Sequence, residues 1–327
     1  GRVLSRLKMD VLQVLAQLLK FSYFWFCAAV GVVGIVGNIA ICYVIIKTKD
    51  MHTSLNYYLL SLALSDILNS FTEIFVVVLK LTPWKTVYTA VTEVNTCNNF
   101  VVSNLTLAAI AVDRYIAVCH PLKARYLSKI SKTIKVIISV WMFSLFYCTS
   151  NVIKAIFWSC KESAFCLVLD VWGSLQLYLV FLCLVPAIIL ITLYVLIALK
   201  IRQFGAQSQK NNMRNTATNR ESTARSGLLL SVAVVVEFLV CSVPFQVAIF
   251  MTVNVTSLSP TENPVFIIFL IVTRFLNIIS AIIDPVVFNY FSTKFRKAFA
   301  ELKIWSYFRQ QPREQIVNLE QAQPIQE

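Results

Sequence analysis

Charged side chains embedded in apolar sequence are the residues of this chain with chemistry to do. Asp66, Glu73, Glu93, Asp113, Arg114, Glu237, Arg274 and Asp284 interrupt runs built otherwise mainly from Leu, Ile, Val, Phe and Ala. In hydrocarbon such a charge costs roughly 2.5–3.5 kcal/mol at a helix centre on insertion scales, so these groups should face a protein interior and pair, or hold an ion or ligand. The stretch "AIAVDRYIAVCHPL" (109–122) poses the problem most sharply: an apolar run ends on an acid–base pair, Asp113–Arg114. No nucleophile–base pattern, metal-ligand spacing or phosphate-binding loop accompanies these groups, and the two histidines, His52 and His120, fall at inner loops. The chemistry on offer is ion pairing and cation or ligand holding, so an enzyme is not expected.

The elements that must position these groups are membrane-spanning helices. The chain of 327 residues is 58% hydrophobic and 14% charged, whereas a soluble domain carries nearer a quarter charged residues. Seven runs reach the roughly 20 apolar residues a spanning helix needs: 23–46, 56–79, 89–118, 134–157, 174–199, 227–252 and 264–290. The expected fold is an all-α membrane protein, a seven-transmembrane helix bundle over 23–290. It is preceded by an extracellular segment 1–22, then followed by a short amphipathic eighth helix over 291–305 and a disordered, Gln-rich cytoplasmic tail over 306–327. The net charge of +13 serves topology rather than nucleic acid: twenty of the 29 basic residues fall on the side of Lys47, Lys123–Lys135, Lys200–Arg225 and the tail. That side is cytoplasmic by the positive-inside rule, which puts the N-terminus outside, and its charge faces anionic membrane lipid. No signal peptide is visible, and a chain opening on Gly1 suggests a processed or truncated N-terminus. "RVLSRLKMDVLQVLAQLLK" reads either as an amphipathic helix at the membrane surface or as a flexible leader.

Through every span the sequence resembles the rhodopsin-like (class A) G-protein-coupled receptors. The resemblance covers about residues 23–304 and rests on "GIVGN" with Asn38, "SLALSD" with Asp66, "AVDRYIAVCHPL", Trp141, Pro186 with Tyr194, "FLVCSVPF" with Pro244, "DPVVF" with Pro285 and "STKFRKAF". It implies a receptor that turns binding of an extracellular ligand into activation of a heterotrimeric G protein at the plasma membrane. Its coupling machinery would comprise Asp113, Arg114, Tyr115, Leu122, Tyr194, Phe238, Pro244, Asp284, Pro285 and Phe288. In that machinery Asp113 restrains Arg114 at rest, Arg114 meets Tyr194 and the G protein on activation, and Leu122 docks into the G-protein α subunit. The resemblance further implies a sodium site at Asn38, Asp66, Asn99, Ser103 and Asp284. Hard oxygen donors suit a small hard cation, and two acids at one site either strengthen the attraction or leave one of them protonated. A hydrogen-bonded water network is the alternative. Beyond a sodium ion no cofactor is expected.

Several positions depart from the family pattern. The Cys usual at the outer end of the third span is Thr89, and Cys97 lies about 12 Å deeper at 1.5 Å per residue, too far for the same bridge. A disulfide within the second outer loop, Cys160–Cys166, takes its place in this reading, as in cannabinoid and lysophospholipid receptors; melanocortin and adenosine receptors share the broad cluster. Ser242 replaces the aromatic before Pro244, which shifts weight to Phe238, and Glu237 beside it is unusual. Phe288 replaces the usual Tyr, and Ala224 stands near the acid that commonly restrains the Arg. These departures favour elevated basal activity and keep open a non-coupling decoy or partner subunit; a transporter would need inverted repeats, of which there is no sign.

Thr96 and Ile278 stand where monoamine receptors and opsins carry their ligand-binding Asp and Lys. The ligand pocket is assigned to Glu73, Glu93, Thr96, Cys97 and Arg274, with Glu93 and Arg274 either facing one another or recognising a zwitterionic ligand. A lipid-like ligand is marginally preferred to a peptide. Asn254, in "NVT", is a glycan acceptor. Arrestin-directed phosphorylation would use Ser208, Thr216, Thr218, Ser222, Thr223 or Ser226, since the tail after Ser306 has no Ser or Thr. The eighth helix has no lipidation Cys and would hold the membrane by Phe295, Phe299 and Trp305.

Overall fold

The computed structural model describes residues 2–79, 85–127, 129–156, 185–210, 218–254 and 264–301. Among these every regular element is helical. In chain order they are α1 (Arg2–Lys47), a 3-10 turn (Lys49–Met51), α2 (Ser54–Leu79), α3 (Lys85–Cys119), α4 (Pro121–Leu127), α5 (Ile130–Ile156), α6 (Val185–Lys210), α7 (Thr218–Cys241), α8 (Val243–Asn254), α9 (Pro264–Phe291) and α10 (Thr293–Glu301). The helix that crosses the first apolar run begins at Arg2 and continues without a break to Lys47, so the backbone of 2–22 is helical.

Five described helical stretches are long and apolar enough to cross a membrane: Trp25–Lys47, Asn98–Cys119, Ile130–Thr149, Gly227–Ile249 and Ile268–Phe291. The second expected span, α2, is long enough but more polar, because Asn56, Ser61, Ser65, Asp66, Asn69 and Ser70 are all buried along its inward face. Of the fifth expected span, only the part from Val185 onward lies within the described residues.

α3 is the axis of the bundle, in contact with α2, α5, α6 and α7, while α1 packs on α2 and α9, and α7 and α8 on α9. Large apolar side chains such as Val36, Phe146 and Val265 point outward, as hydrocarbon requires. Polar struts cross the interior instead: Trp141 Nε1 donates to Ser61 Oγ at 3.0 Å, Thr133 Oγ1 to Ser54 Oγ at 2.9 Å, and Ser144 Oγ to Asn98 Oδ1 at 2.7 Å. α1 can approach α9 closely because Gly37 has no side chain; a Cβ there would stand 2.8 Å from Pro285 Cγ.

The sixth expected span divides at Ser242 into α7 and α8. Pro244 lacks an N–H and crowds the preceding turn, so the helical ladder is interrupted there. The Ser242 amide still donates to Phe238 O at 2.9 Å, and the Gln246 amide to Ser242 O at 3.3 Å, which keeps the two halves on one course. α10 does not hold the membrane by Phe295: that ring is wholly buried, 5.7 Å from the equally buried ring of Phe288, so the helix is pinned to the bundle. Phe299 packs on the same cluster, and Trp305 lies outside the described residues.

Candidate functional site

Polar groups collect at three levels of the bundle. At the inner end, Arg114 Nη2 donates to the carboxylate of its neighbour Asp113 at 2.5 Å, the two side chains being 19% and 8% exposed. The other face of the guanidinium looks toward α7, where Gly227 leaves space: a Cβ there would meet Arg114 Nη1 at 3.5 Å. Arg114 Nε is buried without a partner. Tyr194 on α6 is within electrostatic reach of Arg114 and lies beside Ser231, yet its buried hydroxyl makes no well-formed hydrogen bond. The Tyr115 ring meets the His120 ring edge-on at 5.5 Å. Leu122 and Tyr126 of α4 project from the inner surface, 77% and 71% exposed.

Midway along the bundle a small cavity, large enough for a water or a bare monovalent cation, opens between α2, α3, α7 and α9. Asp66, Asn99, Ser103, Glu237, Phe238, Ser242, Ser280 and Asp284 are among its lining residues. The Asp66 carboxyl is within hydrogen-bonding reach of Asp284 and Asn99, and Ser103 Oγ donates to Asn99 Oδ1 at 3.1 Å. Four of the five residues expected at an ion site thus line one cavity. The fifth, Asn38, is not among the lining residues: its Nδ2 donates to Gly34 O at 3.0 Å and Ala281 O at 2.8 Å, tying α1 to α9, and its Oδ1 is buried without a partner. Three polar lining residues were not on the expected list of ion ligands. Glu237 brings a third carboxyl, and Ser242 and Ser280 each a hydroxyl. The signal for Glu237 was present, since an acid in an apolar span is conspicuous, but its depth relative to Asp66 depends on helix packing. Phe238 stacks on Phe100 at 5.6 Å between α7 and α3. A second cavity, lined by Asn69, Asn99, Gln246 and Asn277, adjoins the first on the side of Glu73 and Arg274.

At that end Arg274 Nη2 donates to Glu73 Oε1, joining α9 to α2, and its guanidinium lies 5.0 Å above the ring centroid of Phe245 on α8. The partner described for Arg274 is Glu73; the side chain of Glu93, which was expected either to face Arg274 or to recognise a ligand, lies outside the described residues. The reason for the Glu73 pairing is topological: α2 and α9 are in contact and set these two side chains at one depth. Glu93, Thr96 and Cys97 belong to α3, and Asn254 ends α8, but their side chains lie outside the described residues, as do Cys160 and Cys166. Among the described cysteines, Cys27, Cys42, Cys119, Cys148 and Cys241 are free thiols.

With this geometry in view, the comparisons with known proteins are consistent with one another. The family model "7 transmembrane receptor (rhodopsin family)" matches residues 37–288. The chain is 28% identical to the thyrotropin-releasing hormone receptor of Mus musculus, over 87% of this chain and 79% of that one. It is 28% identical to the pyrokinin-1 receptor of Drosophila melanogaster (82% and 76% covered) and 27% identical to neuromedin-U receptor 2 of Homo sapiens (85% and 70%). Squid rhodopsin superposes with a TM-score of 0.67 at 19% identity, over 88% of this chain and 86% of that one, which is a likeness of fold.

Proposed function

Because the chain belongs to the rhodopsin family of seven-transmembrane receptors, and is a multi-pass G-protein-coupled receptor and not an enzyme, we propose that its ligand is a peptide recognised in the outer half of the bundle. The observation that carries this reading is the Glu73–Arg274 pair beneath the outer mouth. It sets one acid and one base side by side, Arg274 also resting on Phe245. Such a pair can exchange its internal partner for charged or amide groups of a ligand, which a peptide supplies and a neutral lipid does not. Relatives named for thyrotropin-releasing hormone, pyrokinin and neuromedin-U support the same class, which reverses the slight preference for a lipid drawn from the sequence. Glu93, Thr96 and Cys97 would complete the pocket from α3.

In this proposal the receptor sits in the plasma membrane with its N-terminus outside. Ligand binding shifts a population toward a state in which α7 moves away from α3 and Arg114 exchanges Asp113 for Tyr194 and the G protein. Leu122 is the apolar knob offered to the G protein, and Tyr115, Phe238, Pro244, Pro285 and Phe288 carry the packing between. Asp66, Asn99, Ser103 and Asp284 hold a sodium ion with the resting state, and Asn38 acts as the strut that fixes α1 against them. The inner loop between α6 and α7 would supply phosphorylation sites for arrestin, Cys160–Cys166 would close the outer loop, and Asn254 would carry a glycan.

The test is G-protein activation in cells expressing the full chain, dosed separately with organic-phase and aqueous-phase tissue extracts. The expected result is activity in the aqueous phase that protease treatment destroys and that Arg274→Gln weakens at least tenfold in potency. Activity confined to the organic phase would replace the peptide reading with a lipid one.

A further inference from the structure

The central cavity carries more negative charge than the ion site proposed above employs. Asp66, Asp284 and Glu237 all line it, and no Lys, Arg or His is among its lining residues. Asp284 is only 6% exposed, and its Oδ1, although buried against this cavity, has no hydrogen-bond partner. Glu237 Oε1 is likewise buried and unpartnered. Buried carboxyl oxygens left unanswered are costly, and a polar cavity at their tips is where a positive ligand answers them.

The donors are hard oxygens: three carboxyls, the Asn99 carboxamide, and the hydroxyls of Ser103, Ser242 and Ser280. Such a set suits a small hard cation and not a soft metal. Among the described residues no three acid, His or Cys side chains have metal-ligating geometry. Glu237 therefore acts through its charge rather than as a third direct ligand, which favours a monovalent ion over calcium, whose sites gather several carboxylates directly.

We propose that Glu237 is the third carboxyl of this cation site, so that a bound sodium-class ion is held by α7 as well as by α2, α3 and α9. This rests on the ion-site reading proposed above and adds a helix to it. Glu237 lies on the helix whose inner end faces Arg114 through Gly227. Displacing α7 from the bundle draws the third negative charge away from the ion, so the ion favours the packed arrangement. By linkage, the displaced arrangement binds the ion less well.

The decisive experiment needs no agonist. The purified full chain in lipid nanodiscs is melted while sodium chloride replaces choline chloride at constant ionic strength. In the wild type sodium raises the melting temperature by mass action. Glu237→Gln should raise the half-effective sodium concentration about tenfold, as loss of one nearby charge in a medium of intermediate dielectric implies. Glu237→Asp, which retains the charge on a shorter stem, should raise it by less. Asp66→Asn should abolish the response. An unchanged half-effective concentration in Glu237→Gln, with the response lost in Asp66→Asn, would leave the ion site standing and remove Glu237 from it. No response in the wild type would remove the ion site and this proposal together. If Glu237→Gln fails to fold, an unchanged half-effective sodium concentration in Glu237→Ala, which also removes the carboxyl, overturns the proposal instead.

Discussion

The two ion pairs seen among the described residues sit at opposite ends of the bundle and are made in opposite ways. Asp113–Arg114 joins neighbours in sequence on one helix, so forming it orders little beyond two side chains. Glu73–Arg274 joins residues 201 positions apart, and it exists only because α2 and α9 are packed together. The inner pair is a local restraint that can open without moving a helix. The outer pair is a tertiary clasp, reinforced by Phe245, whose opening alters contacts among α2, α8 and α9. In the proposed activation both kinds are used: the outer clasp would let a ligand act on helix packing, and the inner pair would let helix packing act on Arg114.

Breaking the inner pair should have the largest effect. Arg114→Ala is expected to reduce nucleotide exchange on the G protein to the level of untransfected cells at unchanged surface expression; signalling retained in that variant would strip Arg114 of its role. Breaking the outer clasp should cost stability first. Glu73→Gln or Arg274→Gln alone is expected to destabilise the purified chain by about 2 kcal/mol, below the ~3–5 kcal/mol of a fully buried pair because both groups keep some exposure. The exchange Glu73→Arg with Arg274→Glu should recover at least half of that, and a double-mutant cycle with no coupling would show that the two residues act independently.

The comparison sharpens if the inner pair is given a long-range partner. Gly227→Asp places a carboxyl on α7 opposite Arg114 and should lower basal exchange about fivefold, the equivalent of roughly 1 kcal/mol for a partly exposed ion pair. Basal activity equal to wild type would mean that α7 does not hold Arg114 even when given the means. Smallest of all, Arg274→Lys keeps the charge but loses the planar contact with Phe245, and is expected to cost about 1 kcal/mol or less in thermal unfolding.

Much of this was legible before any coordinates. Apolar run lengths gave the helices, because a membrane leaves a helix as the only way for one segment to satisfy its own backbone. The break in the sixth span was not read, although Pro244 carries its physical cause. The buried acids announced themselves by their cost. What stayed hidden was how side chains choose among partners. Arg274 was expected either to face Glu93 or to meet a zwitterionic ligand, and α2 sets Glu73 beside it. Phe295 was given to the membrane, although Phe288, having no hydroxyl to satisfy, receives its ring in the core. Asn38 was expected at the ion site, and its amide nitrogen also ties α1 to Ala281 on α9.

By itself the sequence determined that apolar helices cross a membrane and that a few charged groups must be kept from lipid. Each of these follows from composition and local periodicity, which a chain carries in its order of residues. Only the tertiary structure decided that Asp66, Asp284 and Glu237 line one cavity, that Glu73 clasps Arg274, and that Gly227 of α7 faces Arg114. Those facts depend on the rotation and depth of one helix against another, which are set by the packing of all of them together.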